Sequence, residues 1–218
     1  MKLTTHRMNF PLSKEDAREL RAGDQLIMDG EIVVTAGLPT HQRLIRCLDG
    51  HEPLPMLLKG QSLFHLGSYS QERDAASSTQ DASPSLDLLY INPTTSTRFN
   101  PLMPRLIKEL DLHAVGGKGG LDQACVEAMQ KVGCVYLSFL GGGAALHTRA
   151  IREVLDVGWS DMLMHYRLVR LRVEDLGPVT VAIDAHGQST YSNAQSVAAR
   201  RMPEILANLD AQRSAAGI

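Results

Sequence analysis

The run Leu86-Asp87-Leu88-Leu89-Tyr90-Ile91-Asn92-Pro93-Thr94-Thr95-Ser96-Thr97-Arg98 carries a buried strand straight into a loop dense with hydroxyls and closed by a guanidinium. Further on, Leu112–Val115 predicts a short strand, and Gly116-Gly117-Lys118-Gly119-Gly120 opens a helix over Leu121–Lys131. A third unit follows: a strand over Cys134–Leu140 runs into Gly141-Gly142-Gly143-Ala144-Ala145. Strand–loop–helix units in this order predict an α/β fold with a mixed sheet. They gather loops at the carboxyl ends of strands, where such folds bind ligands, and helix N-termini there favour anions.

Working outward, Ser13 with Asp16 three residues on reads as a capping box that starts a helix over Lys14–Arg21, ended by Gly23. Gln25–Met28 and Ile32–Ala36 flank Asp29-Gly30, a pair that predicts a tight hairpin turn. A helix over His41–Leu48 puts Leu44, Ile45 and Leu48 on one face, and Ser62–Leu66 reads as a strand. Gln71–Ser85 is poor in bulky apolar residues and predicts a mobile loop over about 70–85. Beyond the glycine loops the pattern predicts a helix around Leu146–Leu155. A hairpin of Leu168–Val173 and Val179–Ile183 turned at Gly177-Pro178 comes next, and a last helix covers Asn193–Gln212.

The 218 residues are enough for one domain with a real core, and residues 1–218 are read as a single domain. A net charge of −2 argues against a nucleic-acid partner. No stretch approaches the roughly 20 apolar residues of a membrane span, and the N-terminus lacks the apolar segment of a secretory signal. The expectation is a soluble, cytoplasmic protein.

The Pro93–Arg98 loop reads equally as a ligand site, with Arg98 able to grip a carboxylate, or as a capped helix start with an exposed Arg. Gly116–Gly120 matches neither the P-loop nor the GxGxxG spacing. It is either a close-approach anion loop carrying Lys118 or a flexible connector. The Gly141–Ala145 loop has no charged group, and close backbone packing explains it at least as well as ligand contact. A lone His at a helix start, such as His41, is more often a surface residue than a catalyst. Cys47, Cys125 and Cys134 are scattered and read as buried free thiols rather than metal ligands.

Taken together, these stretches resemble the C-terminal domain or β subunit of the iron–sulfur-dependent hydro-lyases, the class I fumarases and L(+)-tartrate dehydratases. The match rests on Leu20–Asp24 with Asp29-Gly30, Pro93–Arg98, Gly117–Gly120 and Val181–Gly187, with Gly142–Leu146 adding to it, over roughly residues 12–190. The resemblance implies a swivelling β/β/α domain with a mixed sheet, and a small 2-hydroxy (di)carboxylic acid as the molecule reversibly dehydrated. It implies Thr94 as the base, His41 as a second catalytic residue, Arg98 and Lys118 as carboxylate clamps, and Thr95 and Ser96 in substrate binding. It also implies a [4Fe–4S] cluster held by a partner α subunit, no metal on this chain, and an α2β2 assembly. The family's RDxxH segment appears here as Gly37-Leu38-Pro39-Thr40-His41, without the Arg and the Asp. The rival expectation is a binding or assembly subunit that kept the fold and lost turnover. A redox role built on the chain's own cysteines is a third.

Overall fold

The computed structural model describes residues 4–72 and 86–216. Within them the strands are β1 (Thr5–Phe10), β2 (Gln25–Thr35), β3 (Ser62–Glu72), β4 (Leu86–Pro93), β5 (Ala114–Gly117), β6 (Val135–Ser138), β7 (Ile151–Gly158) and β8 (Leu168–Ile183). The helices are α1 (Lys14–Glu19), α2 (Leu38–Leu48), α3 (Met103–Glu109), α4 (Gln123–Val132), α5 (Ala144–Thr148) and α6 (Thr190–Ala216).

The sheet is mixed and folds back on itself. β2, β3, β5 and β6 run parallel, β8 is antiparallel to β6, and β8 also pairs along β2, which closes a ring. β1 adds to β2, and β7 adds to β8. The two faces carry two cores, as the alternation of side chains along strands requires. Leu26, Met28, Val34, Phe64, Leu137, Leu171 and Val181 fill one, together with Ala17 of α1 and Leu20 just beyond its end. Val33, Leu63, Val115 and Tyr136 face the other way and pack against Leu44 of α2, Leu106 and Ile107 of α3, and Met129 of α4. The expected α/β fold with a mixed sheet is present, as a ring of strands with a helical layer.

Ser13 accepts from the Asp16 amide, and the Asp16 carboxylate returns a bond to the Ser13 amide, so the capping box forms as expected. Two expected hairpins do not form. Gln25–Thr35 is one strand, because β1 and β8 flank it on both sides and keep it extended. Asp29-Gly30 sits at a bulge instead: Gly30 has φ +99°, and the Asp29 carboxylate accepts from Arg7 and from the Asp175 amide. Leu168–Ile183 is likewise one strand. The residues around Asp175 and Gly177-Pro178 are extra against β2, and a proline, having no N–H, is tolerated at such a bulge.

The helix expected around Leu146–Leu155 is only Ala144–Thr148. The β-branched Ile151, Val154 and Val157 belong to β7, which edges β8. The N-terminal strand β1 had no counterpart in the sequence pattern. The mobile loop expected at 70–85 lies, over residues 73–85, outside the described residues, while Ser70–Glu72 belong to β3.

A glycine is required at 30 because a Cβ there would lie 2.3 Å from the Phe10 carbonyl oxygen, a backbone atom that cannot swing away. At Gly50, also at positive φ, a Cβ meets open space. Gly50→Ala is therefore expected to lower the unfolding free energy by about 1–2 kcal/mol, the left-handed penalty alone. Gly30→Ala is expected to cost clearly more, about 3 kcal/mol or above. Urea unfolding of both variants checks this, and equal losses would contradict the bulge geometry.

Candidate active site

The site forms where β3 changes partner. Its first half pairs with β5, up to Phe64 opposite Gly116, and its second half pairs with β4, from Leu66 opposite Pro93. His65 stands at the switch. The end of β4 and the end of β5 therefore meet beside it, and the two sequence loops zip together through backbone. The Thr94 amide donates to the His65 carbonyl (2.8 Å), the Lys118 amide to the Thr94 carbonyl (3.0 Å), and the Ser96 amide to the Lys118 carbonyl (2.8 Å). The approach demands glycine at 117, where a Cβ would lie 2.4 Å from Ser96 Oγ and 3.0 Å from the Thr94 carbonyl oxygen.

Thr94 and Lys118 line one cleft of about 300 Å³ with Tyr69, Tyr90, Asn92 and His165. Both are half-buried. Tyr69 and Tyr90 stack with ring centroids 5.4 Å apart and stand half out of the surface. Thr95 is half-buried beside Gly119, while Thr97 and Arg98 are exposed on a turn of 3-10 helix over Ser96–Phe99. Arg98 does not line the cleft. Among the described residues no carboxylate lies within ion-pair distance of Lys118 or Arg98, so both cations are available to an anion.

Ser96 lies beneath the loop and is fully buried. Its Oγ is 2.7 Å from His65 Nδ1 and accepts from the Tyr136 hydroxyl at 2.8 Å. That hydroxyl in turn accepts from the Gly120 amide at 3.3 Å. His41 is fully buried too, against the expectation of a surface histidine. α2 starts at Leu38 instead of His41, and His41 lies on the same inward face as the buried Leu44 three residues on. His41 Nδ1 lies 2.7 Å from the Gly37 carbonyl oxygen, which can only accept, so Nδ1 carries the proton. The ring stacks on Phe99 with centroids 3.9 Å apart and lies 5.1 Å from His65. Burial pushes its pKa down to about 4, against a partial upward pull from the Gly37 carbonyl. Burial, with the neighbouring His41, drives His65 down as well. Both imidazoles are neutral at pH 7.

At position 37 a Cβ would lie 2.3 Å from Tyr166 Cδ1, so the Tyr166 ring occupies the space a longer side chain would need. Cys125 and Cys134 are buried, Cys47 is half-buried, and burial pushes all three thiols up. Among the described residues no three His, Cys, Asp or Glu side chains converge on a point that could hold a metal ion. The thiols present do not fit a cluster. No helix among the described residues is long and apolar enough to cross a membrane.

The structure thus joins Thr94, Thr95 and Lys118 at one surface, places Arg98 nearby on the exposed turn, and sets Ser96 and His41 below. Sequence reasoning missed His65, Tyr136, Tyr69, Tyr90 and His165. The available signal was a histidine inside the apolar strand Ser62–Leu66 and a tyrosine inside Cys134–Leu140. Both are polar groups that need a partner when buried.

Comparison with known proteins gives the family. The model of the family described as Fumarase C-terminus matches residues 2–194. A chain of Methanocaldococcus jannaschii, provisionally named L(+)-tartrate dehydratase subunit beta, is 31% identical over 196 residues, covering 89% of this chain and 95% of the relative. The L(+)-tartrate dehydratase subunit beta of Escherichia coli is 27% identical over 199 residues, with 91% and 92% covered. A chain of Geobacillus stearothermophilus provisionally named class I fumarate hydratase is 28% identical over 91% of this chain but only 36% of its own length.

Because His41 titrates lower in the fold than the unfolded value near 6.5, the unfolded chain takes up the proton first as pH falls. Stability from this group is complete above about pH 6.5 and drains away towards pH 4, by about 3 kcal/mol in all. His65 acts in the same direction. Urea titrations from pH 7 to 4 are expected to show this slope, and a shallower one in His41→Asn, whose amide still donates to Gly37. An unchanged slope would contradict the burial assignment.

Proposed function

The chain belongs to the fumarase C-terminus family, and from that membership we propose that it is the β subunit of a two-subunit iron–sulfur-dependent hydro-lyase. Its reaction is the reversible dehydration of a small 2-hydroxy (di)carboxylic acid, of the fumarate/malate or tartrate type. The observation that carries this reading is that Thr94 and Lys118, which has no ion-pair partner among the described residues, line one cleft on loops locked together by backbone bonds.

In this reading Lys118 binds a substrate carboxylate and fixes the neighbouring carbon against Thr94. Charge-assisted bonds of this kind are worth about 1.5–3 kcal/mol each. Thr94 Oγ1 takes the proton from that carbon. A threonine hydroxyl is a weak base until another group accepts its own proton, and among the described residues none is bonded to it, so the relay comes from the partner. Arg98, exposed beside the cleft, holds the second carboxylate as the partner closes over it. Thr95 borders the Lys118 loop and adds a hydroxyl to the same surface. His41 acts from below, through its stack on Phe99, next to Arg98 in the chain.

The [4Fe–4S] cluster belongs to the α subunit, since the thiols here do not fit it. When bound there it supplies a Lewis acid to the substrate hydroxyl. Residues 1–218 form one domain of an α2β2 assembly working in the cytoplasm.

A second reading, a binding or assembly subunit without turnover, is favoured by the unrelayed Thr94 and by Gly37 and Leu38 at the family's Arg and Asp positions. In the reconstituted two-subunit complex, Thr94→Ala is expected to lower kcat about a hundredfold or more. Lys118→Ala is expected to raise KM about tenfold or more. The isolated chain should be colourless and inactive. Full turnover in both variants supports the second reading instead.

A further inference from the structure

Ser96 resembles a substrate-binding residue by its place in the Pro93–Arg98 motif, yet it has no exposure to the cleft. Its bonds show another use. The Gly120 amide donates to the Tyr136 hydroxyl, and Tyr136 donates to Ser96. Ser96 has accepted one proton and has one of its own to give, and the polar atom left beside it is His65 Nδ1 at 2.7 Å. With Nδ1 as the acceptor, the tautomer that lets Ser96 give its own proton, the His65 proton sits on Nε2, which has no partner among the described residues. A single directed chain therefore runs from the Lys118–Gly120 loop, through β6, under the Thr94 loop, to the strand at which β3 changes partner.

Other contacts fix both ends of this chain. The His65 carbonyl holds the Thr94 amide, and the Ser96 amide holds the Lys118 carbonyl. The Tyr191 ring of α6 sits over Gly120, where a Cβ would lie 2.6 Å from it, and the Tyr191 hydroxyl donates to Ser138. His65 is walled by Phe99 and His41, with ring centroids 4.6 and 5.1 Å away. Aligned donors in a buried chain polarise one another, so the links are worth more together than singly. None of Ser96, Tyr136 and His65 lines the cleft.

We propose that Ser96 is a positioning residue instead of a substrate ligand, and that Tyr136 and His65 act through it to hold Thr94 and Lys118 at their working separation. This rests on the Thr94–Lys118 cleft being the site of the hydro-lyase reaction. The device also explains why the hydroxyl-rich loop carries a serine at its one buried hydroxyl position: alanine would leave His65 Nδ1 without a partner and the Tyr136 hydroxyl without an acceptor.

The test compares Ser96→Ala, Tyr136→Phe and the double variant, each as the full chain and in complex with its α subunit. With malate and tartrate as probes, each single change is expected to lower kcat about tenfold or more with KM shifted less than about threefold. The double variant should resemble the worse single one, because the two residues belong to one chain. Ser96→Cys, which keeps a weak donor and acceptor, should recover part of kcat. A rise in KM confined to Ser96→Ala, with Tyr136→Phe unaffected, would make Ser96 a substrate ligand and overturn the proposal.

Amide hydrogen exchange in the full chain supplies a readout independent of turnover. Tyr136→Phe is expected to speed exchange at Gly120, Ser96 and Lys118 together, by about tenfold. A change at Gly120 alone overturns the coupling whatever the assays show. Conversely, a wild-type complex that dehydrates neither acid, with the coupled exchange intact, counts against the hydro-lyase reading and leaves the positioning chain standing.

Discussion

Everything proposed for this chain depends on a few backbone hydrogen bonds between Thr94–Ser96 and Lys118, formed where β3 hands over from β5 to β4. Without them a flexible lysine on a glycine-rich loop and a threonine on a hydroxyl-rich loop have no defined relation. With them, Thr94 and Lys118 share a cleft. The bonds are possible only because residue 117 has no side chain, since a Cβ there would run into Ser96 Oγ. The glycines of the second loop therefore serve close packing of protein on protein, and Lys118 is the group left over for a ligand.

The rest of the fold holds that junction rigid. A ring of strands with apolar residues on both faces, closed by β2 against β8, leaves β3 and β5 little freedom to slide. The helical layer adds Phe99 and His41, a stacked pair buried beneath Arg98's turn. Two buried, neutral imidazoles are tolerable at pH 7 and costly in acid. The site's foundation therefore loses stability as pH falls.

That the Pro93–Arg98 and Gly116–Gly120 loops gather at strand ends was readable from sequence, because loops that follow strands and open helices have few places to go in an α/β sheet, whereas the roles of Thr94 and Lys118 came from the family resemblance. Turn chemistry was the weaker guide. Asp29-Gly30 and Gly177-Pro178 carry the marks of hairpin turns, but long-range pairing keeps their strands extended and leaves these residues at two successive bulges of the β2–β8 ladder. Leu146–Leu155 has helical spacing, yet the edge of β8 claims Ile151 onward. His65 and Tyr136 were invisible because their meaning is purely tertiary: each is a polar group in an apolar strand until Ser96 arrives from a different segment. His41 was expected at the surface because a lone histidine at a helix start is more often found there, although its spacing from Leu44 and Leu48 puts it on the apolar face of α2.

The cleft lined by Thr94 and Lys118 is the proposed place at which this chain completes a partner's active site. A crystal structure of the two-subunit complex with an unreactive 2-hydroxy diacid tests this most directly. The account predicts a ligand carboxylate within hydrogen-bond distance of Lys118 Nζ, the adjacent carbon facing Thr94 Oγ1, and Ser96 Oγ still bonded to His65 and Tyr136 with no ligand contact. A ligand held elsewhere, or one touching Ser96 while Lys118 pairs with a carboxylate of the partner, would contradict it.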